Sequence, residues 1–495
     1  MRHADGEEEQ EMKNAAIVVT TLAGAMFVTS CASVPRDSGL SDVQSGVAAR
    51  SSQNIGWNPQ MNAADDPRLR PMLQEPLTAD RAVAIAMVNN PRLQVILADL
   101  GIARADLIEA STIRNPIFGA EVRFPASPFR PYELTLTQSL IDLITLPRRR
   151  QLGRAAFEAA KLRVTSEVLR FGADVRDDYW SLVAASQNVG MARTVLEAAR
   201  TSAELAQRQQ ETGNITDLDL ENEQAIYEQA KLDAARAEEE VVLRREGVIR
   251  ALGLRDGSAQ WQIENDFPSP PSREMTEAEL EQAAASRRLD IAIARQEVTI
   301  ARSALPIASI GAAGDADVDL HTAREPSGEK TTGPGIQFPI PIFNRGRAAR
   351  ARAEAQLIRS QQVLATVTTQ ASSEIRAART RVIAARARVE YYRDVLLPRR
   401  SRILQLTKTQ ANAMIVGVFQ VLMARQNELN ARRDSIDAQA DYWMARNDLD
   451  RVLNGVAATG MFPNNVQDRG ASARGMRMMN PSSADPRSAG RRGGQ

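Results

Sequence analysis

Residues 309–321 read Ser-Ile-Gly-Ala-Ala-Gly-Asp-Ala-Asp-Val-Asp-Leu-His, and this stretch decides what kind of fold the chain can adopt. Small or apolar residues fill every second position from Ile310 to Leu320, and aspartates fill positions between them. Successive side chains of a β-strand point to opposite faces, so the pattern predicts a strand with one apolar and one acidic face. The acidic positions are Asp315, Asp317 and Asp319, and His321 follows on the same side.

Three further stretches show the same alternation. Their apolar positions are Phe118, Ala120, Val122 and Phe124, then Tyr132, Leu134 and Leu136, then Pro334, Ile336, Phe338 and Ile340. Such alternation is typical of a membrane β-barrel, whose backbone has to be fully paired because lipid offers no hydrogen bonds. We expect one face to meet lipid and the other to line a lumen. The expected lumen-facing residues are Glu121, Arg123, Glu133, Asp315, Asp317 and Asp319.

Four strands cannot close a barrel within one chain, because single-chain barrels begin at about eight strands. The pattern therefore predicts that several copies of the chain contribute strands to one barrel.

The composition predicts long helices between these strands and excludes several functions. Only 4% of the 495 residues are aromatic, and the net charge is +1 with acidic and basic residues interspersed, which argues against a nucleic-acid partner. One cysteine, Cys31, and two histidines are too few for a disulfide framework or a His/Cys metal cage.

The N-terminal residues predict export and acylation. Residues 1–11 are acidic, but from Met12 a short basic segment, an apolar run and the residues Val-Thr-Ser-Cys follow, as in a secretory signal peptide over residues 1–30. Val-Thr-Ser-Cys resembles a bacterial lipobox, which implies acylation of Cys31, and Ala32 then implies the outer membrane. The alternatives are a buried cysteine and a transmembrane anchor, for which the apolar run is shorter than the roughly 20 residues required.

One unit of about 200 residues occurs twice along the chain. Leu77-Thr78-Ala79 opens the first unit and Met275-Thr276-Glu277 opens the second, and Ile102-Ala103-Arg104 aligns without a gap on Ile300-Ala301-Arg302. The sequence thus predicts a signal peptide and four further segments. These are a lipid-anchored polar linker at 31–76, repeats at 77–274 and 275–455, and a disordered tail at 456–495.

The sequence pattern of each repeat predicts a long helix, a short connection at its tip and a second helix that returns along the first. The long helices are expected over residues 148–212 and 347–410, where apolar residues recur every 3.5 residues on average, as in a coiled-coil seam. Pro398 predicts a kink in the second. Thr78 is expected to cap the first short helix, and Gly213 to stop the first long one.

Together these residues resemble the TolC-type outer-membrane efflux factors, including the lipidated branch that serves RND-type metal and multidrug pumps. The resemblance covers residues 77–455 and rests on short motifs in a fixed order. These are Leu-Thr-x-x-x-Ala at 77–82, Asn-Pro at 90–91, Gly-Asn-Ile-Thr-Asp-Leu at 213–218, Phe-Pro-Ile-Pro-Ile-Phe at 338–343 and Leu-Pro at 397–398. The resemblance implies a homotrimer with a twelve-stranded barrel in outer-membrane lipid and an α-helical tunnel. It also implies a periplasmic adaptor (membrane fusion protein) and an inner-membrane RND-type pump as partners.

In that family the gate lies at the helix tips, and Asp217 falls on the position of an aspartate that restrains the second hairpin. The opposite stretch carries Gln420 and Met423 where acids are usual, so apolar contacts at Met414, Val418 and Phe419 are the expected substitute. The alternative is that Asp217 only caps the returning helix through backbone N–H groups.

No sequence pattern predicts catalysis, a cofactor or a metal site. The chain carries no Gly-rich phosphate loop, nucleophile elbow or zinc motif. Acid pairs such as Asp177-Asp178 are expected on solvated helix faces, because adjacent helical residues do not face each other. The alternating aspartates with His321 are better explained as a hydrated, cation-tolerant wall than as a cation site.

The leading hypothesis is a lipid-anchored outer-membrane channel, extending into the periplasm, that passively conducts metal ions or drugs delivered by a pump. A periplasmic coiled-coil adaptor or scaffold lipoprotein is the main alternative. Adaptors, however, surround one hairpin with compact β-rich domains, whereas two hairpins alternate with strand pairs here. An outer-membrane duct for protein secretion is a further alternative that the sequence does not separate from efflux.

Overall fold

The computed structural model describes residues 38–51, 53–57, 69–124, 130–254, 261–310, 316–340, 342–343 and 345–456. The predicted signal peptide, Cys31, Asp315 and residues 457–495 lie outside the described residues. The helices in these ranges are α1 (Leu40–Ser51), α2 (Leu69–Gln74), α3 (Ala79–Asn89), α4 (Pro91–Ser111), α5 (Leu140–Glu211), α6 (Asp217–Leu252), α7 (Glu277–Arg287), α8 (Leu289–Ile310), α9 (Arg347–Tyr391), α10 (Leu397–Asn412) and α11 (Val418–Leu453).

Four strands form one antiparallel sheet in the order β1-β2-β3-β4. They are β1 (Ile117–Val122), β2 (Tyr132–Ser139), β3 (Asp317–Arg324) and β4 (Lys330–Gln337). All four predicted strands are therefore present, although Ser309 and Ile310 end α8 and do not begin β3. Ser309 Oγ donates to Leu305 O (3.1 Å), so the helical pattern continues to this point.

Both halves of the chain have the same order of elements: two short helices, two strands, one long helix and one returning helix. Thr78 caps α3 as predicted, since its Oγ1 accepts from Arg81 N (3.2 Å). Thr276 caps α7 in the same way, accepting from Glu279 N (3.3 Å).

Helix α5 begins at Leu140, eight residues before the predicted start at Arg148. Pro147 lies inside the helix, where its missing N–H removes one intrahelical hydrogen bond. Asp142 in the first turn accepts from Arg149 Nη1 (3.3 Å), so an ion pair joins the two sides of the proline. The helix has 72 residues and is therefore roughly 110 Å long.

The predicted interruption near Pro398 is confirmed. Helix α9 passes into a π-helical turn at Tyr392–Leu396, and α10 begins at Leu397. Proline cannot donate to the carbonyl four residues earlier, and one wider turn accommodates this loss. The wider turn also changes which residues of α10 continue each face of α9.

The predicted coiled-coil seams are buried over much of their length. Buried seam residues are Val168, Phe171, Val175, Tyr179 and Leu182 in α5, and Ile375, Ala378, Val382, Ala385 and Val389 in α9. Helix α5 packs between α6 and α11, and α11 packs between α5 and the continuous pair α9–α10. Towards the sheet, α5 instead packs between α4 and α8, and α8 packs on α9.

An aromatic cluster joins the two hairpins to the connection between the repeats. Trp180 of α5 stacks on Trp443 of α11, with ring centroids 5.3 Å apart, and on Phe267 of the connection at 5.8 Å. Tyr442 OH donates to Glu274 Oε1 (2.6 Å) just before the second repeat. These contacts fix the connection to both halves of the chain.

Asp177 does not lie on a solvated face as the sequence suggested. Its carboxylate is half-buried and accepts from Asn447 Nδ2 (2.7 Å) and Arg451 Nη2 (2.6 Å) of α11. Burial raises the pKa of Asp177, although these two donors oppose the rise. The carboxylate is therefore part of the contact between α5 and α11.

Helix α1 lies in the segment that the sequence treated as a linker. Val43 and Val47, one turn apart, are fully buried in the main core. Arg50 Nε donates to Arg287 O (2.9 Å), and Arg287 Nη2 donates to Arg50 O (2.7 Å). Two valines in a polar stretch are too short a pattern to predict this helix from the sequence. Their burial is nevertheless enough to attach the helix to the main core.

Two asparagines join the helix pair α3–α4 to the end of α6. Asn89 Nδ2 donates to Leu252 O (2.9 Å), and Asn90 Nδ2 donates to Ala251 O (2.7 Å). Gly253 has φ +73° and ends α6. Asn90 also caps α4, so one side chain serves two helix ends.

A buried ion-pair cluster fixes the start of α8. Arg288 is 4% exposed, and it donates from Nη2 to Glu374 Oε2 (2.7 Å) and from Nε to Asp290 Oδ1 (3.0 Å). Gly455, with φ +63°, packs directly against Asp290. The next residue, Val456, is buried in the core, so its assignment to a disordered tail was wrong.

Candidate functional site

The register of the sheet confirms that its two faces differ in chemistry. Residues paired across antiparallel strands share a face. The register places Phe118, Ala120, Val122, Tyr132, Leu134, Leu136, Val318, Leu320, Pro334 and Ile336 on the mainly apolar face, which also carries Gln138, Thr322, Arg324, Lys330 and Thr332. The polar face carries Glu121, Glu133, Thr135, Thr137, Ser139, Asp317, Asp319, His321, Thr331 and Gln337. On the apolar face Phe118 is 67% and Ile336 is 64% exposed, so this face is left uncovered by the chain itself.

Three of the predicted lumen residues meet at one end of the polar face. Glu121 and Glu133 are directly paired, an arrangement that brings like charges together. Arg123 Nε donates to Glu121 Oε1 (2.8 Å), and its Nη2 donates to Glu133 Oε2 (2.9 Å). The arginine thereby neutralises part of the negative charge.

The other predicted lumen residues lie across the same face on β3. Asp317 pairs with Ser139 and Asp319 pairs with Thr137, while Asp319 Oδ2 lies 3.4 Å from His321 Nδ1. Within the described ranges, no three His, Cys, Asp or Glu side chains form a group that could hold a metal ion. The face is a polar, net acidic wall that can be hydrated and can attract cations.

Among the described residues, none of the helices combines the length and apolar character needed to cross a bilayer.

A buried carboxylate holds the sheet to the helices. Asp142 in the first turn of α5 has a side chain that is 3% exposed, and Arg114, just before β1, donates from Nη2 to its Oδ1 (2.7 Å). Arg149 donates to the same oxygen (3.3 Å). This contact joins the residues before β1 to the first turn of the long helix.

Replacing Asp142 with alanine is expected to lower the free energy of unfolding by about 2 kcal/mol, because two arginines lose their shared acceptor. Arg114 is 63% exposed, so water compensates part of the loss. Urea unfolding in detergent, followed by tryptophan fluorescence, measures the change. Asp142→Asn keeps an acceptor oxygen and should lose about half as much, and an alanine variant as stable as the wild type would contradict this role.

At the first helix tip, Gly213 has φ +73° as predicted, and Thr216 caps α6. Thr216 Oγ1 accepts from Asp219 N (3.2 Å), and Asp219 Oδ2 accepts from Thr216 N (3.2 Å). The capping role considered for Asp217 therefore belongs to Thr216 and Asp219. Asp217 is the first helical residue, and its Oδ1 accepts from Gln210 Nε2 (2.9 Å).

At the second tip, Met414 has φ +56° and is 94% exposed. Val418 begins α11, and Phe419 and Gln420 lie in its first turn; Gln420 N donates to Gly417 O (3.2 Å). No hydrogen bond or ion pair among the described residues joins Asp217 to this second tip. The predicted gate residues thus lie on two separate hairpin ends within one chain.

The family model of the outer membrane efflux proteins matches residues 83–254 and again residues 272–455. These two matches cover well over half of the chain. The chain belongs to the outer membrane efflux protein family. The resemblance stated from the sequence is therefore confirmed.

Individual relatives of this outer membrane efflux protein are distant in sequence but similar over most of their length. The cobalt-zinc-cadmium resistance protein CzcC of Cupriavidus metallidurans is 21% identical over 386 residues, which are 76% of this chain and 90% of that protein. A membrane protein from Pseudomonas aeruginosa has a TM-score of 0.62 at 21% identity, covering 76% of this chain and 90% of its own. VceC of Vibrio cholerae has a TM-score of 0.62 at 17% identity, and the match covers 76% of this chain and 96% of VceC. CusC has a TM-score of 0.61 at 18% identity, and the match covers 76% of this chain and 92% of CusC.

The sequence did not point to one buried acid of this efflux protein, Glu428 of α11. Its side chain is 3% exposed and accepts from Ser401 Oγ of α10 (3.0 Å) and Arg432 Nη2 (2.8 Å), and it also pairs with Arg425. Burial alone would raise the pKa of Glu428, but the donors outweigh it and hold the pKa below its usual value. In the sequence, the signal for this buried site was the presence of arginines three positions before and four positions after Glu428. Exposed helix faces show the same spacing, so the signal is not specific.

The stability that Glu428 contributes should depend on pH. Because the pKa of Glu428 is lower in the folded chain, its contribution is complete above about pH 4.3, the usual pKa of a glutamate, and is lost as pH falls through the folded value. The difference in unfolding free energy between wild type and Glu428→Gln should therefore be constant near neutral pH and shrink below about pH 4. Glu197→Gln, at an exposed site, is the control. A difference that grows in acid would contradict the pairing.

Proposed function

We propose that three copies of this chain form an outer-membrane channel that conducts solutes passively out of the cell. The observation that carries the proposal is the register of the sheet, which gives one exposed apolar face and one net acidic face. An exposed apolar face of this size matches a lipid boundary, and the polar face then lines a lumen.

The need for more than one copy follows from strand pairing. Strands β1 and β4 are the edges of the sheet, and an unpaired edge cannot face hydrocarbon because its backbone groups would lack partners. Three copies, the number that the family resemblance implies, give twelve strands, more than the roughly eight that a closed barrel needs. The long hairpins of the three copies then continue the lumen as an α-helical tunnel.

A channel of this kind supplies no energy. The sequence contains no Gly-rich phosphate loop that would bind a nucleotide. The proposal therefore includes a periplasmic adaptor and an inner-membrane RND-type pump that deliver the cargo to the helix tips. The relative CzcC is named a cobalt-zinc-cadmium resistance protein, and this name supports divalent cations as the first cargo to test. The acidic polar face of the sheet is compatible with cations.

Planar-bilayer recording of the purified, detergent-extracted protein tests the channel. We expect a heat-modifiable trimer with cation-preferring conductance that falls when Asp317 and Asp319 are both replaced with asparagine. Asp233→Asn and Glu204→Gln on exposed helix surfaces are the matched controls. A soluble monomer, or a trimer that conducts no ions, would overturn the proposal and favour a periplasmic adaptor.

Attachment of an acyl chain to Cys31 is the proposed anchor. Metabolic labelling with a palmitate analogue should mark the wild type and leave Cys31→Ala unlabelled. Label that persists in Cys31→Ala at the unprocessed size would contradict it.

The gate is proposed at the two tips, with Asp217 on the first and Met414, Val418, Phe419 and Gln420 on the second. Asp217→Ala should raise the open probability in bilayers, since the variant loses a carboxylate that can hold the tips together across copies. Thr216 and Asp219 still cap α6 in that variant, so its thermal midpoint should stay near that of the wild type. Unchanged conductance would leave Asp217 without a gating role.

A further inference from the structure

The mainly apolar face of the sheet changes its chemistry at one end. Across the four strands, the register joins into one row the residues Val122, Tyr132, Arg324 and Lys330. Two rows further along, the residues are all apolar: Phe118, Leu136, Leu320 and Pro334. Lys330 is exposed and Arg324 is half-buried. Two basic residues thus lie side by side at the end of a surface that is otherwise mostly apolar.

The hairpin of β3 and β4 separates the two signs of charge. Glu325 N donates to Glu329 O (2.9 Å), so the pairing continues one residue beyond Arg324 and Lys330. Successive residues of a strand point to opposite sides, which places both glutamates on the polar face. Arg123, which lies on the polar face, is near enough to Glu325 for the two charges to attract. The two cations therefore share the mainly apolar face, and the glutamates share the polar face.

The end of the sheet that carries the two cations is the end away from the long helices. Strand β2 ends at Ser139, directly before α5, and β4 ends at Gln337, ten residues before α9 begins. The chain connects β1 to β2, and β3 to β4, at the opposite end. Because the helices of the proposed channel extend into the periplasm, Arg324 and Lys330 lie at the outer leaflet of the membrane.

The position of the basic row along the strands fits the edge of a lipid boundary. Ile336 and Lys330 are six residues apart on β4, which is roughly 20 Å along a strand and roughly 15 Å in height at the usual tilt of a barrel strand. Phe338 and Ile340 continue the apolar surface towards the helices and are 60% and 72% exposed. The basic row therefore lies near the outer edge of an apolar band, which is about 25 Å tall in outer-membrane barrels.

The neighbours of the two cations suit the boundary between hydrocarbon and headgroups. Tyr132 is paired with Arg324 in the register, and tyrosine is enriched at this level of membrane proteins. In the next row, Thr322 Oγ1 and Thr332 Oγ1 lie 3.2 Å apart and share a hydrogen bond. A shared hydrogen bond lowers the cost of placing these hydroxyl groups beside hydrocarbon.

We infer that Arg324 and Lys330 bind the phosphate groups of a lipopolysaccharide molecule in the outer leaflet. Guanidinium and ammonium groups both donate charge-assisted hydrogen bonds to phosphate oxygens. The acyl chains of the same lipid lie along the apolar rows between this end of the sheet and the helices. Each copy of the chain supplies one such pair of cations. The inference rests on the proposed channel for the direction in which the sheet crosses the membrane.

Titration of the purified, detergent-extracted protein with fluorescent lipopolysaccharide measures the dissociation constant. Arg324→Gln with Lys330→Gln should raise this constant about twentyfold, and less at high salt, because two cations near the headgroups are lost. Lys330→Gln alone changes one exposed side chain and should raise it about fivefold. Arg324→Lys with Lys330→Arg keeps both charges and should retain most of the affinity. Arg200→Gln with Arg236→Gln, at exposed helix sites, removes the same charge and should leave the constant unchanged.

Two further probes define the ligand. Lipopolysaccharide without its phosphate groups should bind the wild type no more tightly than intact lipopolysaccharide binds the double glutamine variant. Inorganic phosphate at the same concentration as the lipid should not displace it. Equal binding of the dephosphorylated lipid would overturn recognition of phosphate, and displacement by inorganic phosphate would replace the lipid site with a site for a small anion.

Planar-bilayer recording and light scattering of the same preparations separate the two proposals. A double glutamine variant that conducts ions as a trimer and binds lipopolysaccharide as tightly as the wild type would overturn the lipid site and leave the channel intact. A wild type that is monomeric and conducts no ions would overturn both.

Discussion

Replacing Arg288 with alanine is expected to lower the free energy of unfolding by about 3–5 kcal/mol, the usual effect of removing one partner of a buried ion pair. The arginine is 4% exposed and Asp290 is 8% exposed, so the aspartate left behind has little access to water. Gly455 packs against that carboxylate and leaves no space for it to turn away. The variant should loosen the start of α8 and the end of α11 together.

Arg273 provides a matched comparison. It forms an ion pair with Glu279 at 2.9 Å, but the two side chains are 70% and 39% exposed. Arg273→Ala should therefore cost far less stability than Arg288→Ala. Urea unfolding followed by the fluorescence of the buried tryptophans compares the two variants, and equal losses would show that burial of Arg288 contributes nothing.

Gly253→Ala is expected to cost about 3 kcal/mol. Its φ of +73° alone costs an L-residue about 1–2 kcal/mol. In addition, an added Cβ would lie 2.8 Å from both Asn89 O and Asn90 Cα, which are backbone atoms that cannot move without shifting the α3–α4 junction. The hydrogen bonds from the two asparagines to the end of α6 should weaken as a result.

A comparison with Gly213 separates the effect of the positive φ from the effect of the close backbone contact. It has the same φ of +73°, but nothing lies within 4 Å of the position that a Cβ would occupy. Gly213→Ala should therefore cost only the 1–2 kcal/mol of the backbone conformation. Thermal unfolding by circular dichroism measures both, and equal midpoints for the two variants would contradict the close approach at Gly253.

Periodic features were predictable from the sequence. The strands alternate with period two, and the long helices carry apolar residues every three or four positions, so both could be located to within a few residues. The errors lie at element ends: α5 begins at Leu140 and not at the predicted residue 148, and Ile310 fitted the strand pattern although it belongs to α8. Local patterns cannot decide such ends, because tertiary contacts such as the one at Asp142 do.

Features that depend on distant partners were not predictable. Val43 and Val47 form a pattern too short to predict a docked helix, and Asp177 or Glu428 gain their arginine partners only when the helices pack. Of the predicted site residues, Glu121, Arg123 and Glu133 lie together, and the tip residues lie on separate hairpins.

The reciprocal hydrogen bonds between Arg50 and Arg287 join positions 237 residues apart. Because a polypeptide is made from its N-terminus, α1 exists long before the carbonyl and guanidinium that secure it. The hydrogen bonds to Arg287 therefore form only after the second repeat has begun to be made, whereas the contacts of α1 with α5 need only the first repeat. Protection of α1 from a protease beyond that given by its contacts with α5 would report that Arg287 has docked.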